Sequence, residues 1–303
     1  MTTALLAIDW GTTTARAYRL GAAGELLGQR SGPYGISQVA EGEFPSAFAN
    51  LLGDWARDSA PRLACGMVGS RQGWREAPYI DCPASLDNLA NGIVIVGDEL
   101  RIVPGLMTHD ACGIPDVMRG EETQLAGAVA RGESRVLAIL PGTHSKWAIV
   151  ERGTVLDFAT FMTGELYSVM LEHSILGRLV DPSSNDSNGF ARGVRHGLQA
   201  GGLTHDLFAA RTLALTGKLA GSEIASWLSG LLIGREIQDG CNWFEQRTGV
   251  PLGDTPVRLV GALALGQRYM QALQLAEFRV ETGRTDAAAH GLWSIARQAG
   301  IVQ

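Results

Sequence analysis

Several features are absent from the 303-residue sequence, and each absence excludes a class of protein. The longest apolar runs fall far short of the roughly 20 residues that cross a bilayer, so we expect no membrane segment. The beginning, MTTALLAIDW, has no basic n-region and no small-residue cleavage site, so we expect no signal peptide. The four cysteines show no CxxC spacing, which is typical of reduced thiols in a cytoplasmic protein.

Positive charge is also scarce. Lysine and arginine number 25 against 31 aspartates and glutamates, which gives a formal net charge of −6. A nucleic-acid-binding protein is expected to carry a basic face, so we expect no nucleic-acid partner. The sequence contains neither a P-loop motif nor the protein-kinase signatures, and its histidines lack H-E-x-x-H metal-site spacing. A small anionic ligand is still compatible with this composition, because backbone N–H groups and arginines can bind one locally.

Hydrophobic residues make up 46% of the chain, enough for sizeable cores, and the length favours two domains. Apolar spacing predicts a buried strand over residues 5–9 and several helices. Strands and helices mix in both halves, which indicates an α/β protein. The predicted helices cover 43–57, 118–130, 163–180, 222–240, 264–275 and 286–299.

Residues 5–20, LLAIDWGTTTARAYRL, predict a strand, a turn rich in hydroxyls and a second strand. Residues 135–150, RVLAILPGTHSKWAIV, repeat this order at an offset of 131 residues. Both copies contain Leu-Ala-Ile in the strand and Gly-Thr in the turn, and Thr14 aligns with Ser145. The shared order of strand, Gly-Thr turn and strand indicates a duplicated unit.

A Gly-Thr hairpin turn can direct backbone N–H groups and hydroxyls outward, forming a nest that suits anionic oxygens. Two such turns could bind the phosphates of a nucleotide. Asp9, at the end of the first strand, could then hold Mg²⁺ directly or through water. The alternative for a single copy is a tight β-turn whose hydroxyls satisfy the local backbone. The presence of a second copy favours the phosphate interpretation.

Several motifs carry a resemblance to known families. AIDWGTTTARAY, LPGTHSKW and LVGALALGQ resemble the two phosphate motifs and the adenosine motif of the superfamily that contains actin, hsp70, hexokinase and the sugar kinases. More narrowly, the chain resembles the 2-dehydro-3-deoxygalactonokinases over nearly its full length. The segments that carry this narrower likeness are GMVGSRQGWREAPYIDCPA (66–84), MRGEETQLAG (118–127), LPGTHSKW (140–147) and TGELYSVMLEHSILG (163–177). In one departure, Leu140 and Pro141 replace the usual superfamily acid, so only Asp9 is available as a hairpin carboxylate for metal.

The resemblance implies a two-lobed actin-like ATPase (ribonuclease H-like) fold of the α/β class, with the hairpin unit duplicated for phosphate binding. We expect an N-terminal lobe for sugar acid and phosphate over residues 1–120. A C-terminal nucleotide-binding lobe would cover residues 121–303, with its last helix able to pack on the first lobe. The active site would lie in the cleft between the lobes. The family uses ATP to phosphorylate the 6-hydroxyl of 2-keto-3-deoxygalactonate in galactonate breakdown, which implies ATP, Mg²⁺ and a small sugar acid as ligands.

The resemblance also assigns nucleotide contacts residue by residue. Gly261 and Ala262, at a strand-to-helix turn, would lie against the adenosine. Lys146 could neutralise phosphate, although a lysine at the start of a strand is commonly only solvated. Among the histidines, His144 is the best placed to line the cleft, since it follows Thr143. The β and γ phosphates would contact Gly11, Thr12, Thr13 and Thr14 from one hairpin and Gly142, Thr143 and Ser145 from the other.

The acceptor hydroxyl needs a base or an orienting carboxylate. Glu121 and Glu122 precede the second hairpin, where related sugar kinases place a catalytic aspartate and exopolyphosphatases a glutamate. Their alternative role is to stabilise the first turn of a helix through its dipole. Asp110, in THDACG, is the other candidate.

A sugar-acid carboxylate calls for arginine or a backbone nest. The glycine-rich loop after residue 66 provides polar groups, and its Trp74 could either stack on the sugar carbons or fill the local core. Arg16 and Arg119 are further cationic candidates. The loop residues expected to bind substrate are Ser70, Arg71, Gln72 and Trp74.

Two other functions are compatible with these motifs. RGEETQLAG would also suit an exopolyphosphatase-like phosphohydrolase, and some superfamily members are non-catalytic nucleotide-binding regulators. The regulator is disfavoured because the chain has no helix-turn-helix extension and no basic face. The sequence leaves open the preferred epimer, galacto or gluco. It also leaves open the oligomeric state, although a homodimer is a common outcome.

Overall fold

The computed structural model describes residues 2–97, 100–181, 187–199, 201–253, 255–261 and 263–303. The chain forms two compact units. Unit 1 comprises Met1–Val136, Ala148–Phe158 and Gly283–Gln303, and unit 2 comprises Leu137–Trp147 and Ala159–Thr282. The lobe boundary at residue 120 stays a prediction.

Strands and helices are mixed along the described chain. The strands are β1 (Leu5–Trp10), β2 (Ala15–Leu20), β3 (Leu26–Gly32), β4 (Arg62–Gly66), β5 (Tyr79–Asp81), β6 (Ala84–Ser85), β7 (Val94–Val96), β8 (Leu100–Ile102), β9 (Gly105–His109), β10 (Pro115–Met118), β11 (Val136–Leu140), β12 (Ser145–Glu151), β13 (Thr154–Phe161), β14 (Val257–Leu259) and β15 (Val280–Thr282). The helices are α1 (Phe44–Leu52), α2 (Glu121–Ala128), α3 (Thr163–His173), α4 (Ser187–Gln199), α5 (Leu203–Leu215), α6 (Gly221–Thr248), α7 (Leu263–Leu275) and α8 (Ala287–Gln298).

Unit 1 is built on a six-stranded sheet of order β3-β2-β1-β4-β8-β7. Strand β1 pairs antiparallel with β2 and parallel with β4. Leu6, Ile8 and Trp10 of β1 pack with the apolar side of α1, and α8 also contacts β1 and β4. Because side chains alternate along a strand, helices on both faces require β1 to be apolar throughout. Asp9 is the one polar residue of this strand.

Helices α2 and α8 of unit 1 touch through their backbones. A Cβ atom on Gly291 would lie 1.8 Å from the Thr123 carbonyl oxygen, and one on Gly127 would lie 2.0 Å from the Ala287 oxygen. Only glycine allows this approach. The contact fixes the start of α2, which carries Glu121 and Glu122.

In unit 2 the strands follow the order β15-β14-β11-β12, and β14 is parallel to both β11 and β15. The 28-residue helix α6 packs closely on α4. Hairpins β1–β2 and β11–β12 both have the order strand, Gly-Thr turn and strand, so the predicted duplication is confirmed.

Helix ends were less predictable than helix positions. The helix expected over 43–57 ends at Leu52, because Gly53 has φ of 54° and the chain continues as a 3₁₀ helix. The helix expected over 118–130 begins only at Glu121, after Gly120 with φ of 109°. The one expected over 163–180 ends at His173.

Among the described residues, no helix has the length and apolar character needed to span a membrane. The four cysteines are free thiols.

Candidate active site

The first Gly-Thr turn, residues 11–14, is held by backbone hydrogen bonds. Gly11 N–H donates to the Thr14 oxygen at 2.9 Å. The carbonyl oxygens of the first three turn residues accept from the N–H groups of residues 35–37, at 2.9 to 3.2 Å. A Cβ on Gly35 would lie 2.2 Å from the Thr13 carbonyl carbon, so only glycine permits this contact. The carbonyl oxygens of the turn are thereby satisfied without its side chains.

The three threonine hydroxyls of this turn form no hydrogen bond with any described residue. Thr12 and Thr13 are exposed and Thr14 is half-buried. The alternative of a turn whose hydroxyls satisfy its own backbone is therefore wrong. The hydroxyls are available to a ligand.

Asp9 stands at the edge of this turn with its side chain 14% exposed. One carboxylate oxygen lies 3.4 Å from an Arg16 nitrogen, but that arginine is 48% exposed and the pair is weak. Burial raises the pKa of the Asp9 carboxyl, and Arg16 opposes the rise. A nearby cation would favour the charged form further.

Asp9 fits a magnesium ligand, because Mg²⁺ commonly takes one or two protein carboxylates together with substrate phosphates and water. In the part of the chain that the structure describes, no group of three or more His, Cys, Asp or Glu could hold a metal ion. A cation here would thus depend on oxygens that the substrate supplies.

The second Gly-Thr turn, at Gly142 and Thr143, is held by helix α3. The Thr143 carbonyl accepts from Glu165 N–H at 3.0 Å. The Thr143 side chain is exposed, and its hydroxyl has no partner among the described residues. His144 follows, with its Nε2 bonded to a carboxylate oxygen of Glu165.

Ser145 belongs instead to a buried polar cluster. Its hydroxyl lies 2.7 Å from that of Tyr269, which donates to Glu236 at 2.6 Å. Trp147 Nε1–H donates to the other Glu236 oxygen at 2.8 Å. Burial raises the pKa of Glu236, and these donors oppose the rise. The phosphate contact of Ser145 stays a prediction, but its hydroxyl is already bonded.

Glu121 and Glu122 open helix α2 in different surroundings. Glu121 is half-buried and accepts from Arg119 N–H at 3.0 Å. Glu122 is fully buried and accepts from Gly120 N–H at 2.7 Å and from the Thr123 hydroxyl at 2.9 Å. Burial, with the charge of Glu121, raises the pKa of Glu122 to about 7.

Asp110 is exposed and closes the β9–β10 turn, because one of its oxygens accepts from the N–H groups of Cys112 and Ile114, both at 2.8 Å. This geometry is that of a structural turn residue.

The predicted substrate residues in the loop after β4 have different surroundings. Trp74 packs among Trp10, Phe44 and Phe48, with ring centroids 5.6 to 6.4 Å apart, as the core-filling alternative expects. Arg71 and Gln72 are exposed. Ser70 Oγ and Arg119 Nη1 are buried and have no hydrogen-bond partner among the described residues.

Gly261 lies two residues after the end of the short strand β14 and has φ of 120°, which favours glycine. Ala262 lies outside the described residues. The roles of all these residues stay predictions.

Sequence reasoning missed Glu165 and Glu236, which come from helices 20 and 91 residues beyond Ser145. Glu165 did lie within the motif TGELY, next to the second hairpin in the fold. Nothing in the spacing of Glu236 distinguishes it from an ordinary charged residue of a long helix.

The raised pKa of Glu122 predicts a pH-dependent stability. A buried carboxyl whose folded pKa lies above its unfolded value of 4.5 favours folding at low pH, and this stability is lost as pH rises from about 4.5 to about 7. The full loss is about 3 kcal/mol. Glu122→Gln retains a donor and an acceptor without charge. Urea unfolding should therefore show that the free energy of unfolding decreases less between pH 5 and pH 8 in this variant than in the wild type.

Glu76→Gln, at an exposed position, is the control. Its free energy of unfolding should change between pH 5 and pH 8 as much as that of the wild type. Equal pH dependence in Glu122→Gln and the wild type would contradict this account of Glu122.

Comparison with known proteins supports a specific family. A family model described as 2-keto-3-deoxy-galactonokinase matches residues 9–295. The 2-dehydro-3-deoxygalactonokinase of Escherichia coli K12 is 37% identical over 276 residues, which cover 90% of each chain. The crystal structure of a candidate 2-dehydro-3-deoxygalactonokinase from Sinorhizobium meliloti superposes with a TM-score of 0.87 and 36% identity, over 97% of this chain and 98% of that one.

A more distant structure confirms the fold class. The activator of 2-hydroxyisocaproyl-CoA dehydratase from Clostridium difficile, with bound ADPNP, matches with a TM-score of 0.51 and 12% identity over 99% of this chain and 96% of its own. The fold is thus the predicted actin-like ATPase type, and the named relatives are kinases, so the phosphohydrolase and the regulator are not favoured. With a match over nearly its whole length, the chain belongs to the 2-keto-3-deoxy-galactonokinase family.

Proposed function

We propose that the protein is a cytoplasmic, ATP-dependent kinase that phosphorylates the 6-hydroxyl of 2-dehydro-3-deoxy-D-galactonate in galactonate catabolism. The observation that carries the ATP part is the pair of Gly-Thr turns whose hydroxyls have no partner in the described chain. The sugar-acid part rests on the family match over residues 9–295.

Phosphoryl transfer requires mainly positioning and neutralisation of charge. In this proposal Thr12, Thr13 and Thr143 donate their hydroxyls to phosphate oxygens of ATP. Asp9 would hold Mg²⁺, which would neutralise phosphate charge when bound. The adenosine would lie near Gly261.

The base that orients the acceptor hydroxyl is proposed to be Glu121. A general base must first lie within hydrogen-bond reach of the substrate hydroxyl, and only then does its pKa matter. Glu121 is partly exposed, whereas both oxygens of Glu122 are bonded in a fully buried position. Glu122 would then hold the start of α2 in place. Asp110 is the less favoured candidate because its carboxylate closes a turn.

The sugar-acid carboxylate is proposed to meet the loop that contains Ser70, Arg71 and Gln72. Arg119 supports this location. Its guanidinium is buried against the Tyr79 ring, at 4.2 Å from the centroid, and no described carboxylate pairs with it. An unpaired buried cation favours an anionic ligand close by.

The activity predicts acceptor-dependent ADP release. With Mg²⁺ and ATP, a coupled assay should show ADP release with 2-dehydro-3-deoxy-D-galactonate that greatly exceeds release without acceptor. Phosphorus NMR should place the new phosphate on carbon 6. Asp9→Asn should lower kcat by about a hundredfold or more, because an amide does not replace a metal-bound carboxylate.

Release that is independent of any acceptor would contradict the kinase and favour a phosphohydrolase. Release only with the gluconate epimer would retain the kinase and change its substrate.

The contact between Gly35 and the first turn predicts a specific defect. In Gly35→Ala the added Cβ overlaps the Thr12 and Thr13 backbone, at 2.2 to 2.4 Å, and must move the turn. A displacement of this kind can cost about a hundredfold in rate. The kcat/KM for ATP should therefore decrease by about ten- to a hundredfold.

Gly132→Ala is the matched control, because no heavy atom lies within 4 Å of its added Cβ. A Gly35→Ala enzyme with unchanged ATP kinetics would contradict the proposed use of this turn.

A further inference from the structure

The second Gly-Thr turn carries an accessible histidine–carboxylate pair outside the residues assigned so far. His144 Nε2 is bonded to Glu165, and the two side chains are 48% and 42% exposed. Both are therefore reachable from solvent. The pair lies at the tip of a turn that is proposed to bind phosphate.

The backbone fixes this pair in place. Glu165 N–H donates to the Thr143 oxygen at 3.0 Å. Gly164 lies so close to the turn that a Cβ there would be 2.5 Å from the Gly142 oxygen and 2.8 Å from Thr143 Cα. The first turn of α3 and the hairpin tip thus form one rigid contact. The carboxylate of Glu165 is held where it can orient the imidazole of His144.

A second histidine, His173 at the end of α3, shows what an unsupported pair looks like. His173 lies 3.8 Å from Glu172, its sequence neighbour, and their side chains are 72% and 70% exposed. At that separation the pair makes no hydrogen bond. It is a solvated surface feature and provides an internal control.

A cationic donor strengthens a hydrogen bond to phosphate, but Lys146 is poorly placed to provide one. Its residue is only 5% exposed, inside a strand. His144 is the basic side chain at the exposed tip. With Nε2–H bonded to Glu165, a protonated imidazole still has Nδ1–H to donate.

We propose that His144 is a catalytic residue, whose imidazolium, oriented by Glu165, donates a hydrogen bond from Nδ1 to an oxygen of the transferred phosphoryl group. This inference rests on the proposed kinase activity. In the transfer, the bond from the γ phosphorus to the bridging oxygen of ADP breaks and a bond to the 6-oxygen of the sugar acid forms. The hydroxyl proton passes to Glu121. His144 keeps its proton and neutralises charge, and Glu165 is a positioning residue.

The test is chemical rescue of His144→Ala. Loss of a donor to developing charge costs about a hundredfold in kcat. We expect a decrease of that order with KM for the sugar acid within about threefold of wild type, and partial recovery with added imidazole, which a structural role would not give. His173→Ala should match the wild type with and without imidazole. His144→Gln, which can still bond Glu165, should keep the wild-type melting temperature yet remain slow.

A His144→Ala or His144→Gln enzyme within twofold of wild-type kcat would overturn the inference while leaving the kinase intact. Equal loss without imidazole rescue, accompanied by a lower melting temperature in both variants, would also overturn it in favour of a structural role. Absence of acceptor-dependent ADP release in the wild type would instead remove the proposed function and this inference with it.

Discussion

The site depends on which neighbouring segments donate hydrogen bonds to the backbone carbonyls of two short turns. In the first turn, the carbonyls of residues 11–13 are satisfied by the N–H groups of residues 35–37, which leaves three threonine hydroxyls without a described partner. In the second, the Thr143 carbonyl is satisfied by the start of helix α3. Glycine makes each contact possible, at Gly35 and at Gly164. The two copies thus reach the same result through unrelated neighbours, each within its own unit.

Three carboxyls with pKa values raised by burial have different surroundings. Asp9 has only a weak arginine partner and can accept a cation. Burial, together with the charge of Glu121, raises the pKa of Glu122 to about 7, although Gly120 N–H and the Thr123 hydroxyl donate to it. Glu236 is surrounded by donors from Trp147 and Tyr269. The three carboxyls share the direction of the pKa shift that burial causes, and they differ in the partners that oppose it.

The sequence predicted those parts of the fold that follow from local pattern. The β1–β2 hairpin and its repeat could be predicted, because strand periodicity and Gly-Thr turns are encoded within about 16 residues. The end of α1 could not, because it depends on the positive φ of Gly53. The difference between Glu121 and Glu122 was also hidden, since the full burial of Glu122 arises only when the unit has folded. Glu165 was out of reach for the same reason: its contact with His144 exists only once α3 has folded against the hairpin.

Nucleotide affinity measures the central claim most directly. Thr13→Val and Thr143→Val keep the shape of each turn and remove one hydroxyl each. Calorimetric titration with Mg²⁺ and either ATP or adenosine should show that each variant binds ATP more weakly by about five- to tenfold, the size of one hydrogen bond, while adenosine affinity is unchanged. Wild-type ATP affinity in both variants, or an equal loss for ATP and adenosine, would contradict the assignment of these two turns to phosphate.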